Sequence, residues 1–206
     1  MLVAFQGAHV RSLRLHLAVT AAVVAASSPA AAAAERIELG ARAAEADVTV
    51  GCMFPMTGRS AIYGKDSVGG IRVALERLAS AEPRRPVRIR VLVDDSRSKS
   101  AYAVRLAEDY VRREKARFVC GVVSSGVAQA VSRLAAERGD FIFVGTDHAS
   151  SRLTIEGFHP HYFRLTNDTY ASMAAGARYL VELRAKSPWR RLAFIGPDYD
   201  YGHVAL

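Results

Sequence analysis

Apolar positions along the chain follow two spacings that take turns. Residues 48–54 (VTVGCMF) are a continuous apolar run that reads as a buried strand, closed by a turn at 55–58. Val68, Ile71, Leu75 and Leu78 then recur at helical spacing, which predicts a helix over 63–79 that ends before Pro83 and Pro86. The exchange repeats. Val87, Ile89, Val91 and Val93 alternate with Arg88, Arg90 and Leu92 as a strand with one wetter face, and Ala101, Val104, Ala107 and Val111 mark a second helix. Residues 118–123 predict a third strand, Val127, Ala130, Val131 and Leu134 a third helix, and 141–144 a short apolar strand. Strands alternating with helices of this length predict an α/β fold, a doubly wound parallel sheet with helices on both faces.

Past residue 144 the rhythm changes. Residues 162–165 read as a short strand, and Thr166-Asn167-Asp168-Thr169 as a helix cap. The helix that follows runs to about Arg184, with Met173, Ala177, Leu180 and Val181 on one face and Pro188 beyond its end. Residues 192–195 read as another buried strand, and a turn at 196–198 leads toward a helix in which the sequence stops at Leu206. A compact domain does not usually end a few residues into a helix, so the chain reads as cut short. Residues 35–47, Ala-rich and charged, read as a loose or helical leader.

The beginning is of another kind. Arg11 and Arg14 stand without any acid, an apolar run covers 15–26, Ser27-Ser28-Pro29 breaks it, and alanines follow to Ala34. This is the layout of a secretory signal peptide over 1–34, with Ala32 and Ala34 placing cleavage before Glu35. A membrane span needs about 20 strongly apolar residues, and here alanine dominates while His16 and Pro29 intrude. A soluble periplasmic protein is the expected product.

Of 206 residues, 50% are hydrophobic and 23% charged, enough apolar content for a core and against disorder. Lys and Arg outnumber Asp and Glu by 28 to 20, a net charge of +8, which raises nucleic acid or an anionic membrane as a partner. The pattern argues otherwise. Pairs such as Arg84-Arg85, Arg112-Arg113 and Arg190-Arg191 are scattered at the edges of apolar runs, without interleaved aromatics. Two cysteines exclude a disulfide-built miniprotein and most zinc modules. Cys52 and Cys120 fall on strands expected to be neighbours, and because parallel neighbours rarely meet the geometry of a bridge, two buried thiols are expected.

In an open parallel sheet, ligands collect outside the carboxyl ends of the strands, where helix N-termini present unpaired amides to anions. Ser124 and Ser125 hold that position, after the third strand and before a helix opening at Gly126 or Val127. A plain N-cap is the alternative role for them. Asp94-Asp95 ends the second strand; no further acids or lysine complete a metal or phosphoacceptor set, so a cap for the next helix is expected. No metal or cofactor is implied.

Four stretches carry a resemblance: VTVGCMFPMTGRSAIYGKDSVGGI at 48–71, VLVDDSRSKSAYAVRLAEDYV at 91–111, FVCGVVSSGVAQAV at 118–131 and HYFRLTNDTYASMAAGARYL at 161–180, followed by RLAFIGPDYDYG up to Gly202. In that order and spacing they resemble the type I periplasmic solute-binding proteins of ABC importers, the leucine/isoleucine/valine-binding branch. The resemblance implies two α/β lobes that close on a ligand, 48–165 being most of the first lobe and 166–206 the start of the second. It further implies that Ser125 holds a ligand carboxylate, with Ser124 beside it. The loop Gly145-Thr146-Asp147-His148-Ala149-Ser150 would offer the Asp147 carbonyl to an ammonium and the Ala149 amide to a carboxylate. Ala149 lacks the hydroxyl of the amino-acid pattern, while Asp147 and His148 add ionisable groups that face either the cleft or solvent. Tyr63 and Tyr201 match cleft-wall aromatics, Tyr199 less closely.

The implied function is an extracytoplasmic substrate-binding protein that presents an amino acid, or a related small carboxylate or amide, to an ABC permease. A ligand-binding sensor domain is the alternative. A serine hydrolase is disfavoured, since Val122 and Val123 replace the G-x-S-x-G elbow and the adjacent Asp147 and His148 would diverge.

Overall fold

The structure, a computed structural model, describes residues 35–81 and 87–205. The signal-peptide reading of 1–34 lies outside the described residues, as do Pro83 and Pro86. Among the described residues no helix is long and apolar enough to cross a membrane.

Six strands form one sheet in the order β1-β3-β2-β4-β5-β6. They are β1 (Ile37–Gly40), β2 (Val48–Phe54), β3 (Ile89–Asp95), β4 (Phe118–Gly121), β5 (Ile142–Gly145) and β6 (Tyr162–Arg164). The helices are α1 (Ala61–Ser80), α2 (Ser100–Arg112), α3 (Ser125–Arg138), α4 (Thr169–Lys186) and the short α5 (Asp200–Val204). Strands β2 to β6 pair parallel with their neighbours, and β1 alone runs antiparallel, on β3.

Successive strand residues face opposite sides, and the two sides hold separate cores. Met53, Leu92, Val119 and Phe143 meet α2 and α3 through Ala103, Ala107, Val127, Ala128 and Val131. Cys52, Phe54, Val91 and Val93 face the other way, under Val68, Ile71 and Leu75 of α1. Alanines on the inner faces of α2 and α3 let the helix backbones lie close to the sheet. Helices on both sides of a largely parallel sheet are the expected layers.

Four expectations are corrected. The leader is not loose or helical, because Ile37 and Leu39 pack into the α1-side core and the segment extends the sheet as β1. Its charged residues lock it in place: Arg36 bonds Asp94, Asp109 and Glu114, and buried Arg90 joins Glu38 to Glu114. Second, Cys52 and Cys120 form a disulfide. The two residues stand opposite each other in the β2–β4 register with Cα atoms 4.5 Å apart, so both sulfurs emerge on the same side.

Third, residues 192–195 form no strand and are not buried; Ile195 is 95% exposed. The apolar run has no neighbouring strand to complete its hydrogen bonds among the described residues. The predicted inner face of α4 is open too, with Val181 72% exposed and only Thr169 of the helix buried. Fourth, Asp94 and Asp95 do not cap α2, which opens at Lys99 without a side-chain cap. Asp94 takes the Arg36 bond, while Asp95 accepts from the Met56 amide at 2.8 Å, the Thr57 hydroxyl at 2.6 Å and the Arg97 amide at 2.8 Å. Burial opposes ionisation of Asp95, yet these three donors hold its carboxyl below the usual range. The result is a staple between the loops that leave β2 and β3.

Candidate functional site

Parallel strands deliver their following loops to one end of the sheet, and a cavity of about 350 Å³ opens there. Tyr63 reaches it from the start of α1, Ser125 from the start of α3, and Asp147, His148 and Ala149 from the loop after β5. Tyr199 and Tyr201 reach it from the turn into α5, with ring centroids 6.3 Å apart. Seven of the eight residues expected at the cleft from the sequence, Tyr199 included, thus border it. Ser124 does not line it.

The loop after β4 explains how Ser125 arrives. Helix α3 begins at Ser125, a residue or two earlier than expected, and Ser124 is the N-cap in extended conformation without a side-chain cap bond. The first amides of a helix have no partner within it. At this end the Ser125 hydroxyl is itself buried, 1% exposed, and its Oγ has no hydrogen-bond partner. A buried hydroxyl is ordinarily bonded, and this one is not. The plain N-cap role does not describe it.

The loop after β5 is tied to the start of α4. The Thr166 hydroxyl donates to the His148 carbonyl at 3.0 Å, and the Thr169 amide to the Ala149 carbonyl at 2.8 Å. Arg164 donates to the Ser150 carbonyl at 2.8 Å and pairs with Asp168. These bonds leave the Asp147 side chain exposed, where Thr146 donates to it at 3.0 Å.

His148 behaves otherwise than a ligand-facing loop residue. Its ring is buried, with Nδ1 3.0 Å from the Val122 carbonyl and Nε2 2.8 Å from the Tyr162 hydroxyl, and stacks on Phe143. Burial pushes its pKa down to about 4; the Val122 bond opposes the shift and the charge of Arg164 adds to it. Neither nitrogen is available to Ser125, so these two residues form no serine–histidine pair.

Asn167, Ser172 and Val123 complete the lining, and sequence reading did not single them out. Asn167 donates to the Ser172 hydroxyl at 2.7 Å. The signal for both was the cap pattern opening α4, where Asp168 accepts from the Ala171 amide, but a cap alone does not say that its neighbours face a cavity. Among the described residues, no lysine or arginine lines the cleft. The groups it could offer an anion are hydroxyls and the amide end of α3, and among the described residues its one acid is Asp147. Among the described residues, no cluster of histidine, cysteine or acidic side chains could hold a metal.

A serine–histidine contact, Ser132 with His159 Nε2 at 2.8 Å, lies on α3 away from this cleft. The His161 amide donates to His159 Nδ1, so Nε2 carries the proton and gives it to the serine. That is the wrong direction for a general base.

The sheet order, the helices on both faces and a cleft at the carboxyl edge define a binding protein of the type I periplasmic class. Residues 47–206 match the sequence pattern described as periplasmic binding protein, and the chain belongs to that family. No curated protein matches the chain significantly. Among solved structures it is similar to a solute-binding protein of an ABC transporter from Rhodopseudomonas palustris in complex with 3,4-dihydroxybenzoic acid, at 22% identity and a TM-score of 0.65 over 77% of this chain and 41% of that one. A second R. palustris solute-binding protein, in complex with p-hydroxybenzoic acid, shares 20% identity with a TM-score of 0.64 over 77% and 41%. The isoleucine-bound substrate-binding protein of a Streptococcus pneumoniae branched-chain amino acid transporter shares 24% with a TM-score of 0.53 over 59% and 34%. The chain spans about two fifths of the length of the first two.

Proposed function

We propose that the protein is the extracytoplasmic solute receptor of an ABC importer and that its cleft takes a small carboxylate, an amino acid or a related acid or amide. The observation that carries this is the buried, unpartnered Ser125 hydroxyl at the amide end of α3. A carboxylate placed there meets neutral donors and no opposing full charge. Tyr63 and Tyr201 supply flat apolar walls with polar tips. Asp147 favours ligands that carry a donor group away from the carboxylate, as an ammonium or a phenol does. Similar structures bound to isoleucine and to hydroxybenzoic acids are consistent with both kinds.

In this reading residues 48–165 make the first lobe and 166 onward begins the second, the Thr166 and Thr169 bonds marking the passage between them. Membership in the family implies an extracytoplasmic location, which the disulfide suits. Cleavage of residues 1–34 before Glu35 and delivery to a membrane permease complete the proposal.

Thermal-shift and calorimetric titration of the full-length protein against amino acids, amides and aromatic acids tests it. Ser125→Ala should weaken the best ligand at least about tenfold, the loss of one charge-assisted hydrogen bond. Unchanged affinity would remove Ser125 from the site.

A further inference from the structure

One buried titratable side chain beside the cleft has no part in the ligand contacts proposed above. His148 lies between Asp147 and Ala149, yet its ring points into the sheet and is 1% exposed. The Val122 carbonyl can only accept, so Nδ1 carries the proton and donates to it. Nε2 is then the acceptor, and the Tyr162 hydroxyl donates to it. Both bonds are satisfied by the neutral ring. Gly145 makes the space: a Cβ there would collide with His148 Nε2 and with the Tyr162 hydroxyl.

At the other end of this bridge stands Val122, with φ of +58°. A β-branched residue in the left-handed region is a genuine outlier. Gly121, just before it, is also left-handed at +108°. Strain of this kind persists where the surroundings over-determine it. Both polar groups of Val122 are fixed: its amide donates to the Met53 carbonyl at 2.8 Å and its carbonyl receives His148. The kink turns the chain out of β4 and into α3, and Ser125 comes three residues later.

We propose that His148 is a positioning residue, which holds the Val122 carbonyl and so locks the left-handed turn that delivers Ser125 and the amide end of α3 to the cleft. The importance of that delivery rests on the carboxylate reading, whereas the lock itself exists without ligand. Tyr162 holds the ring from behind.

Amide exchange followed by NMR in the ligand-free, full-length protein tests the lock. In His148→Leu the Val122 amide should exchange at least tenfold faster while that of Val119, in the same strand, keeps its rate. His148→Gln, whose amide can donate to Val122 and accept from Tyr162, should restore protection to within about threefold. An unchanged Val122 rate in the leucine variant, or an equal rise at Val119, would overturn the proposal. Should the leucine variant fail to fold, the nitrogen shifts of His148 in the unmodified protein decide: protonated Nδ1 from pH 6 to 8 supports the lock, and protonated Nε2 sinks it. Titration with isoleucine and with 4-hydroxybenzoate then tests delivery. At least tenfold weaker binding in His148→Leu, recovered in His148→Gln, supports it; unchanged affinity beside faster exchange overturns it. If neither probe binds the unmodified protein, the carboxylate reading fails with those ligands, and exchange alone judges the lock.

Discussion

Residues 35–165 and residues 166–205 carry the same kinds of sequence signal and reach opposite degrees of burial. In the first region, apolar alternation produces two cores, one on each face of the sheet. Every buried hydrophobic side chain among the described residues lies at or before Tyr162. The second region has a well-capped helix of 18 residues and an apolar run at 192–195, yet buries only Thr169 and Gly202. An apolar stripe stabilises an element only when a second surface meets it, and capping or helix propensity cannot replace that surface.

Mutation can break this contrast. Phe143→Ala empties a fully buried site between β5 and α3 and should cost about 3–5 kcal/mol in chemical denaturation. Val181→Ala, on the open face of α4, should stay within about 0.5 kcal/mol. Comparable losses at the two positions would refute the difference between the regions.

Acid sharpens it from another side. Above pH 6.5 His148 is neutral both folded and unfolded and does not contribute to pH dependence. Below that the unfolded chain binds a proton, while the folded protein resists until about pH 4. Stability should therefore fall by about 3 kcal/mol as pH drops through this window. His148→Gln should remove that share of the slope, and an unchanged slope would mean that the ring is not held neutral. In the other region, Asp168→Ala removes the bond to the Ala171 amide and should cost about 1 kcal/mol. Hydrogen exchange should show that loss as faster opening of α4 with β2 and β4 unaffected.

The sheet region was legible because its strands are long or continuously apolar and its helices keep a clear period. What escaped was short or depended on distant partners. In β1, Ile37 and Leu39 are two apolar positions in a charged, alanine-rich stretch, and their partners lie on β3. Residues 192–195 failed in the opposite way, since an apolar run looks like a strand whether or not a neighbour exists. The placement of Ser125 and of the loop bearing Asp147 was legible because a parallel sheet sends its loops to one end, whereas Tyr63 was singled out only through the family resemblance. The inward turn of His148 was not legible, because it depends on the space left at Gly145, three residues earlier, and on the Tyr162 hydroxyl of the next strand.

The Cys52–Cys120 link joins β2 to β4, and those strands lead through their loops to the first turns of α1 and α3, which bear Tyr63 and Ser125. Sliding one strand past the other by a single residue would shift a cleft wall by about 3.3 Å and reverse which face its side chains occupy. The covalent tie forbids that slippage. The offset between the starts of α1 and α3 is thereby welded into the frame, and on the proposed reading adaptation to a ligand comes from the side of Asn167 and Tyr201.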